Sequence, residues 1–119
     1  MKKILEGRPT TPNRATGIIV LSREEALKSK LPCILFVHHT EQKDFEVIMR
    51  CKGIVTQVGG TLSHASVVAR ELGKACIINC PFEIQNNQLW IKVNNYLCQR
   101  IDAGTEVVVD GMEGSVYLK

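Results

Sequence analysis

The residue types most able to do chemistry in this chain gather in Gly59–Gly73, which reads GGTLSHASVVARELG. At its centre is His64, preceded by two glycines and by the hydroxyls of Thr61 and Ser63. An imidazole is largely neutral at pH 7, its reference pKa being about 6.5, so a ring lone pair is available for attack on phosphorus. A histidine nucleophile splits one difficult transfer into two easier ones. The paired glycines suggest either close approach of backbone to a ligand or dihedrals closed to other residues. Thr61 and Ser63 add hydroxyl donors within reach of a phosphoryl oxygen. The bland alternative is a surface or capping histidine at a helix start, with no chemistry.

The element that must position His64 is a helix. Ala65, Val68, Ala69 and Leu72 fall at i, i+3, i+4 and i+7, which makes one buried stripe. Ser63 is the expected N-cap, and Gly73 the residue that takes the left-handed conformation at the far end. His64 then stands in the first turn, beside backbone N–H groups that lack intrahelical partners and favour an anion. The helix dipole disfavours imidazolium and favours a dianionic product, each by about 0.3–1 kcal/mol and up to about 2 when partly buried.

A second half to that reaction is missing. The glycines do not form GxxxxGK[ST], Gly59-Gly60 is too short to cradle a triphosphate, and no acidic cluster is spaced for Mg²⁺ with a nucleotide. The residues therefore suit a carrier, loaded elsewhere and unloaded elsewhere. His38 and His39 are adjacent near a strand end, so regular strand geometry sends their side chains to opposite faces. With the scattered cysteines they give no zinc spacing, and no metal site is expected. Spacing alone leaves open a nucleophilic pair of His64 with Cys76 or Cys80. Arg70 and Glu71 suit solvated salt bridges, although Arg70 can also face a partner's phosphate; Glu71 is too far along the helix to orient the ring.

The chain has 119 residues, enough for one domain with a moderate core, and its 45% apolar and 23% charged residues match an ordinary folded protein. A formal net charge of +3 is small and dispersed, and the few aromatic residues are scattered, which argues against nucleic-acid binding. No apolar run approaches the roughly 18 residues of a membrane span, and MKKILEGRPTTP lacks a signal-peptide core. The five cysteines are odd in number and contain no CxxC. Cys76 and Cys80 would lie roughly 13 Å apart on an extended strand. A reducing cytoplasm is the expected location.

Strands are expected at Thr16–Leu21, Cys33–His38, Gly53–Thr56 and Ala75–Asn79, with Cys33–His38 apolar enough to need cover on both faces. Ser22-Arg23-Glu24-Glu25 is a capping box that opens a short helix ending before Pro32. Thr40 is expected to cap a helix over 41–51 with Phe45, Ile48 and Met49 buried. Residues 1–14 look loop-like at Gly7-Arg8-Pro9 and at Pro12-Asn13, and 81–104 is the least legible stretch, with Gln88–Val93 either a strand or part of a helix between turns at Asn86-Asn87 and Asn94-Asn95. Thr105–Val109 and Ser115–Leu118 flank a glycine-containing hairpin loop. Alternating strands and helices closed by a hairpin give an α/β fold with a mixed sheet.

Gly59–Gly73 resembles the phosphohistidine signature of the mobile, or swivelling, domain of phosphoenolpyruvate-utilising enzymes, a family that includes pyruvate phosphate dikinase, phosphoenolpyruvate synthase and rifampicin phosphotransferase. The resemblance extends over residues 8–119: Pro12–Gly17 is similar to the family's opening turn, with Asn13 where glycine is common, and Ala103–Leu118 to its closing hairpin. It implies a swivelling β/β/α domain with packed helices. It also implies that His64 is phosphorylated by a separate ATP-binding domain and carries the group to a third, substrate-binding domain. Gly59, Gly60, Thr61, Ser63, Ala65 and Arg70 match supporting or phosphate-contacting positions. The implied partners are an ATP-grasp-like nucleotide-binding domain or subunit, which would hold ATP and Mg, and an acceptor of the phosphoenolpyruvate/pyruvate type; this domain itself would bind no cofactor. Leu62 stands where many members have threonine, and the stretch 81–99 looks longer than the usual connection. Met1 and the coherent ending at Lys119 favour a stand-alone carrier slightly over a piece of a larger enzyme. A non-catalytic interaction module that keeps the swivelling fold is the competing expectation.

Overall fold

Every residue of Cys33–Val37 is buried, which a strand achieves only with cover on both faces. The computed structural model, which describes residues 1–60 and 62–119, supplies that cover from a second sheet on one side and helices on the other. The elements run β1 (Lys2–Glu6), β2 (Arg8–Pro9), β3 (Arg14–Val20), α1 (Arg23–Lys28), β4 (Cys33–Val37), α2 (Phe45–Arg50), β5 (Gly53–Thr56), α3 (His64–Leu72) and β6 (Ala75–Ile78). They continue through β7 (Phe82–Gln85), β8 (Gln88–Lys92), β9 (Cys98–Asp102), β10 (Glu106–Asp110) and β11 (Ser115–Leu118). The large sheet has the order β1-β11-β10-β3-β4-β5-β6-β2, and β7-β8-β9 form a separate antiparallel sheet. Strands β3, β4, β5 and β6 are mutually parallel, and the outer strands of the large sheet are antiparallel. The result is a β/β/α sandwich of three layers, as the family resemblance implies.

The alternation of side chains across each strand divides the core in two. Ile34 and Phe36 of β4 join Val55, Ile77, Val107 and Val109 against Phe82, Leu89, Ile91 and Ile101 of the small sheet. Leu35 and Val37 of the same strand join Ile54, Cys76 and Ile78 against Ala26, Val47, Ile48, Val68 and Ala69 of the helices. Phe36 meets Phe82 edge to face, with ring centroids 5.5 Å apart at 75°. Among the described residues no helix is long and apolar enough to cross a membrane.

Three expectations need correction. The stretch 81–104 folds as the outer sheet: Asn86 and Asn87 both take left-handed dihedrals, φ 51° and 58°, in the two-residue turn between β7 and β8. Its strands bury few residues, Phe82 in β7, Leu89 and Ile91 in β8 and Ile101 in β9, so they could not be read without the sheet they cover. Arg8-Pro9 is an edge strand rather than a loop, pairing with Ile78 and Ile77 at the sheet margin, where proline is tolerated. The second helix begins later, after a 3₁₀ turn at Gln42–Asp44, and presents a different face. Val47 and Ile48 are buried, whereas Phe45 and Met49 are 43% and 51% exposed. Thr40 does not cap that helix. The Glu41 N–H is held by Asp44 Oδ2 at 2.8 Å instead.

Asp44 also anchors α1. The Arg23 guanidinium grips it through Nε to Oδ1 at 2.6 Å and Nη2 to Oδ2 at 2.9 Å. This hydrogen-bonded cation holds the Asp44 carboxyl below its ordinary value of 3.8. A carboxyl depressed in the folded state adds stability that is present above the unfolded value and lost as pH falls through the folded one. The melting-temperature gap between wild type and Asp44→Asn should therefore narrow from about pH 6 to about pH 2. Thermal melts across that range check the sign.

Candidate functional site

His64 is placed by β5 below it and by the start of α3. Ser63 has extended dihedrals, φ −66° and ψ 158°, and its Oγ accepts the Ser66 N–H, so it is the N-cap. The Gly60 carbonyl accepts from Ser63 N at 3.0 Å and from Ser66 Oγ at 2.9 Å, tying the glycine loop to the first turn. At the other end Gly73 is left-handed, φ 68°, with Lys74 N donating to Ala69 O at 2.9 Å. Ala65, Val68 and Ala69 are buried as their spacing predicts, and Leu72 packs half-buried beside them.

The imidazole is half-buried. Its Nδ1 lies 3.0 Å from Thr40 Oγ1, and among the described residues Nε2 has no hydrogen-bond partner. The backbone N–H groups of His64 and Ala65 likewise carry no bond to a described residue. Thr40 and His64 follow the carboxyl ends of the adjacent parallel strands β4 and β5, which is where open α/β sheets form their binding crevices. Sequence reading assigned Thr40 to a cap. Its place just beyond the end of a central strand was the available signal for a site role.

The two glycines differ. Gly59 has φ 149°, and a Cβ there would lie 3.2 Å from Ser63 Oγ; Gly60 has a negative φ and open space around it. Gly59→Ala should cost about 1–3 kcal/mol through backbone strain. Gly60→Ala should be neutral or stabilise by up to about 1 kcal/mol, since it restricts the unfolded chain. Urea unfolding of the two variants tests the contrast. Thr61 lies outside the described residues.

Residues 30–114 match the profile of the family described as PEP-utilising enzyme, mobile domain. The chain belongs to this family. It is similar to pyruvate, phosphate dikinase of Rickettsia typhi, 35% identical over 117 residues that cover 97% of this chain and 13% of that protein. The corresponding dikinase of Rhizobium meliloti is 35% identical over 115 residues, covering 92% and 12%. The chloroplastic pyruvate, phosphate dikinase 1 of Arabidopsis thaliana is 31% identical over 121 residues, covering 98% and 12%. The chain thus spans about an eighth of the length of the curated relatives it matches.

In this mobile domain, Ser63, Ala65 and the Gly59-Gly60 loop surround the start of α3, whereas Arg70 is exposed in the last turn. Six residues of helix place it about 9 Å along the axis from His64. Leu62, beside the histidine, is 88% exposed. Cys76 and Cys80 are core residues: burial raises both thiols, Cys80 to about 12, and neither suits a nucleophile. Because β4 ends at Val37, His38 and His39 do not alternate; their rings meet edge to face with centroids 5.2 Å apart. Among the described residues no three His, Cys, Asp or Glu side chains converge on a metal position.

Proposed function

We propose that His64 is a transient phosphoryl carrier. It is loaded by an ATP-grasp-like nucleotide-binding domain holding ATP and Mg, and it delivers the group to an acceptor site of the phosphoenolpyruvate/pyruvate type. The observation that carries this reading is the division of labour on the ring: Nδ1 is engaged by Thr40, and Nε2, at a helix start, has no partner among the described residues. When Nδ1–H donates to Thr40 Oγ1, the lone pair resides on Nε2. That lone pair forms the N–P bond as the donor's P–O bond breaks and its electron pair leaves with oxygen. The N–H groups of His64 and Ala65, which no described residue holds, then favour the dianionic phosphoryl group over the free ring.

One further feature supports the relay. Strands β1 and β11 pair side by side, Lys2 opposite Leu118, so chain flanking the domain in a longer protein would leave from one edge and permit rotation about it. The nucleotide machinery for the chemistry would belong to the partner domains, with this domain supplying the histidine and the groups that hold it. Five free thiols fit a cytoplasmic location.

The test is to incubate the protein with phosphoenolpyruvate or ATP and the matching domain of a dikinase. An acid-labile, alkali-stable phosphate on His64, assigned to Nε2 by phosphorus NMR, is the expected product. Phosphate on Nδ1 would overturn the role given to Thr40. Absence of label would overturn the carrier role and leave a non-catalytic interaction module.

A further inference from the structure

The strand that leads to Thr40 has already ended. The last backbone bonds to this segment from β5 and the residues after it reach Val37 and His38, from Gln57 N and Val58 N at 3.2 Å. Thr40 is nevertheless 8% exposed and holds His64 Nδ1 at 3.0 Å, so something beyond the ladder fixes it.

The support comes from one guanidinium. Arg23 Nη2 donates to the His39 carbonyl at 3.0 Å, while Nε and Nη2 grip Asp44. Asp44 Oδ2 accepts the Glu41 N–H at 2.8 Å. The His39 carbonyl belongs to the peptide before Thr40, and the Glu41 N–H to the peptide after it. Both peptide groups flanking Thr40 are therefore clamped, and two fixed peptide planes fix the Cα and Cβ between them. An arginine is needed for this: its rigid fork serves a carboxylate and a carbonyl together, which the point charge of lysine does not reproduce. The Glu41 side chain lies 3.3 Å from His39 Nε2 and 3.4 Å from Lys43 Nζ, and with Asp44 it forms a reciprocal capping box.

We infer that Arg23 and Asp44 are positioning residues for the phosphoryl-accepting imidazole, acting through Thr40. The inference rests on the carrier reading for its purpose, and on the clamp geometry for its substance. The proton on Nδ1 stays with the ring throughout, donated to Thr40 Oγ1. Only the Nε2 lone pair is committed to phosphorus, and the leaving oxygen of the donor takes the electron pair of the broken bond.

The experiment uses the whole chain labelled with ¹⁵N-histidine, at a pH where imidazole is neutral, so that nitrogen shifts report the tautomer of His64. Wild type should be mainly Nδ1–H. Thr40→Val and Arg23→Gln should each move the ratio toward Nε2–H by about fivefold, the worth of one lost hydrogen bond. Both should slow phosphoryl uptake, compared at a temperature where each variant is fully folded, since Arg23→Gln also loses the stabilising grip on Asp44. Thr40→Ser should restore the ratio, and Arg23→Lys, which keeps a charge against Asp44, should restore it only in part. An unchanged ratio in Arg23→Gln and Arg23→Lys, or in Thr40→Val, would overturn the inference. If the ratios shift as expected and the wild type takes no phosphate, the positioning stands and the carrier function falls.

Discussion

His64→Ala should abolish covalent phosphate uptake and leave a folded protein. The loss is expected to be complete because, among the described residues, no neighbouring group can replace the ring. Cys76 and Cys80 are buried with raised thiol pKa values, and His38 and His39 sit on the adjoining loop, His38 held by Gln57. Stability should change by no more than about 1 kcal/mol, the net worth of the single bond to Thr40. The helix cap does not depend on the imidazole: Ser63 Oγ serves Ser66, and Ser66 Oγ serves Gly60. Label incorporation measured alongside a denaturant titration separates the two effects. Residual acid-labile phosphate on His64→Ala would place the nucleophile elsewhere.

Phe36→Ala is the substitution expected to cost most stability, about 3–5 kcal/mol. The ring is fully buried between the two sheets and meets Phe82 edge to face. A Phe→Ala gap there removes contacts on both sides at once, and an aromatic pair of this geometry adds about 0.5–1.5 kcal/mol beyond its buried area. Trp90, the one tryptophan, lies on β8 of the outer sheet and reports that layer by fluorescence. Far-ultraviolet circular dichroism reports the large sheet and helices. If the layers fold as one cooperative unit, both probes should shift together to lower denaturant in Phe36→Ala. Separate transitions would show that the outer sheet is only loosely coupled. Phe45 is a useful contrast, since its ring is 43% exposed and its replacement should cost far less.

What could be read from the sequence was local. Helix α3 carries its own instructions within a few residues: a serine that caps, a stripe at helical spacing, a glycine that accepts φ 68°. Strands β4, β5 and β6 were legible because strands covered on both faces have near-continuous apolar runs. The closing hairpin was legible from its glycine-containing loop, where Gly114 adopts φ 80° and Asp110 Oδ1 accepts from Met112 and Glu113 N–H.

The parts that were not legible depend on residues far apart in the chain. Thr40 meets His64 across 24 positions, and Arg23 meets Asp44 across 21. Periodicity describes only neighbours within a turn or two, so it assigned Thr40 to the nearest helix and buried Phe45 on the wrong face. The outer sheet was obscure for a related reason: Leu89, Ile91 and Ile101 are the few buried positions of β8 and β9 and acquire meaning only once Phe36 and Phe82 stand opposite them. The sequence by itself determined which residue is the nucleophile candidate and which helix start presents it. Only the tertiary structure decided which of its two nitrogens is held and which no described residue holds, because that choice is made by a hydroxyl from another strand's end.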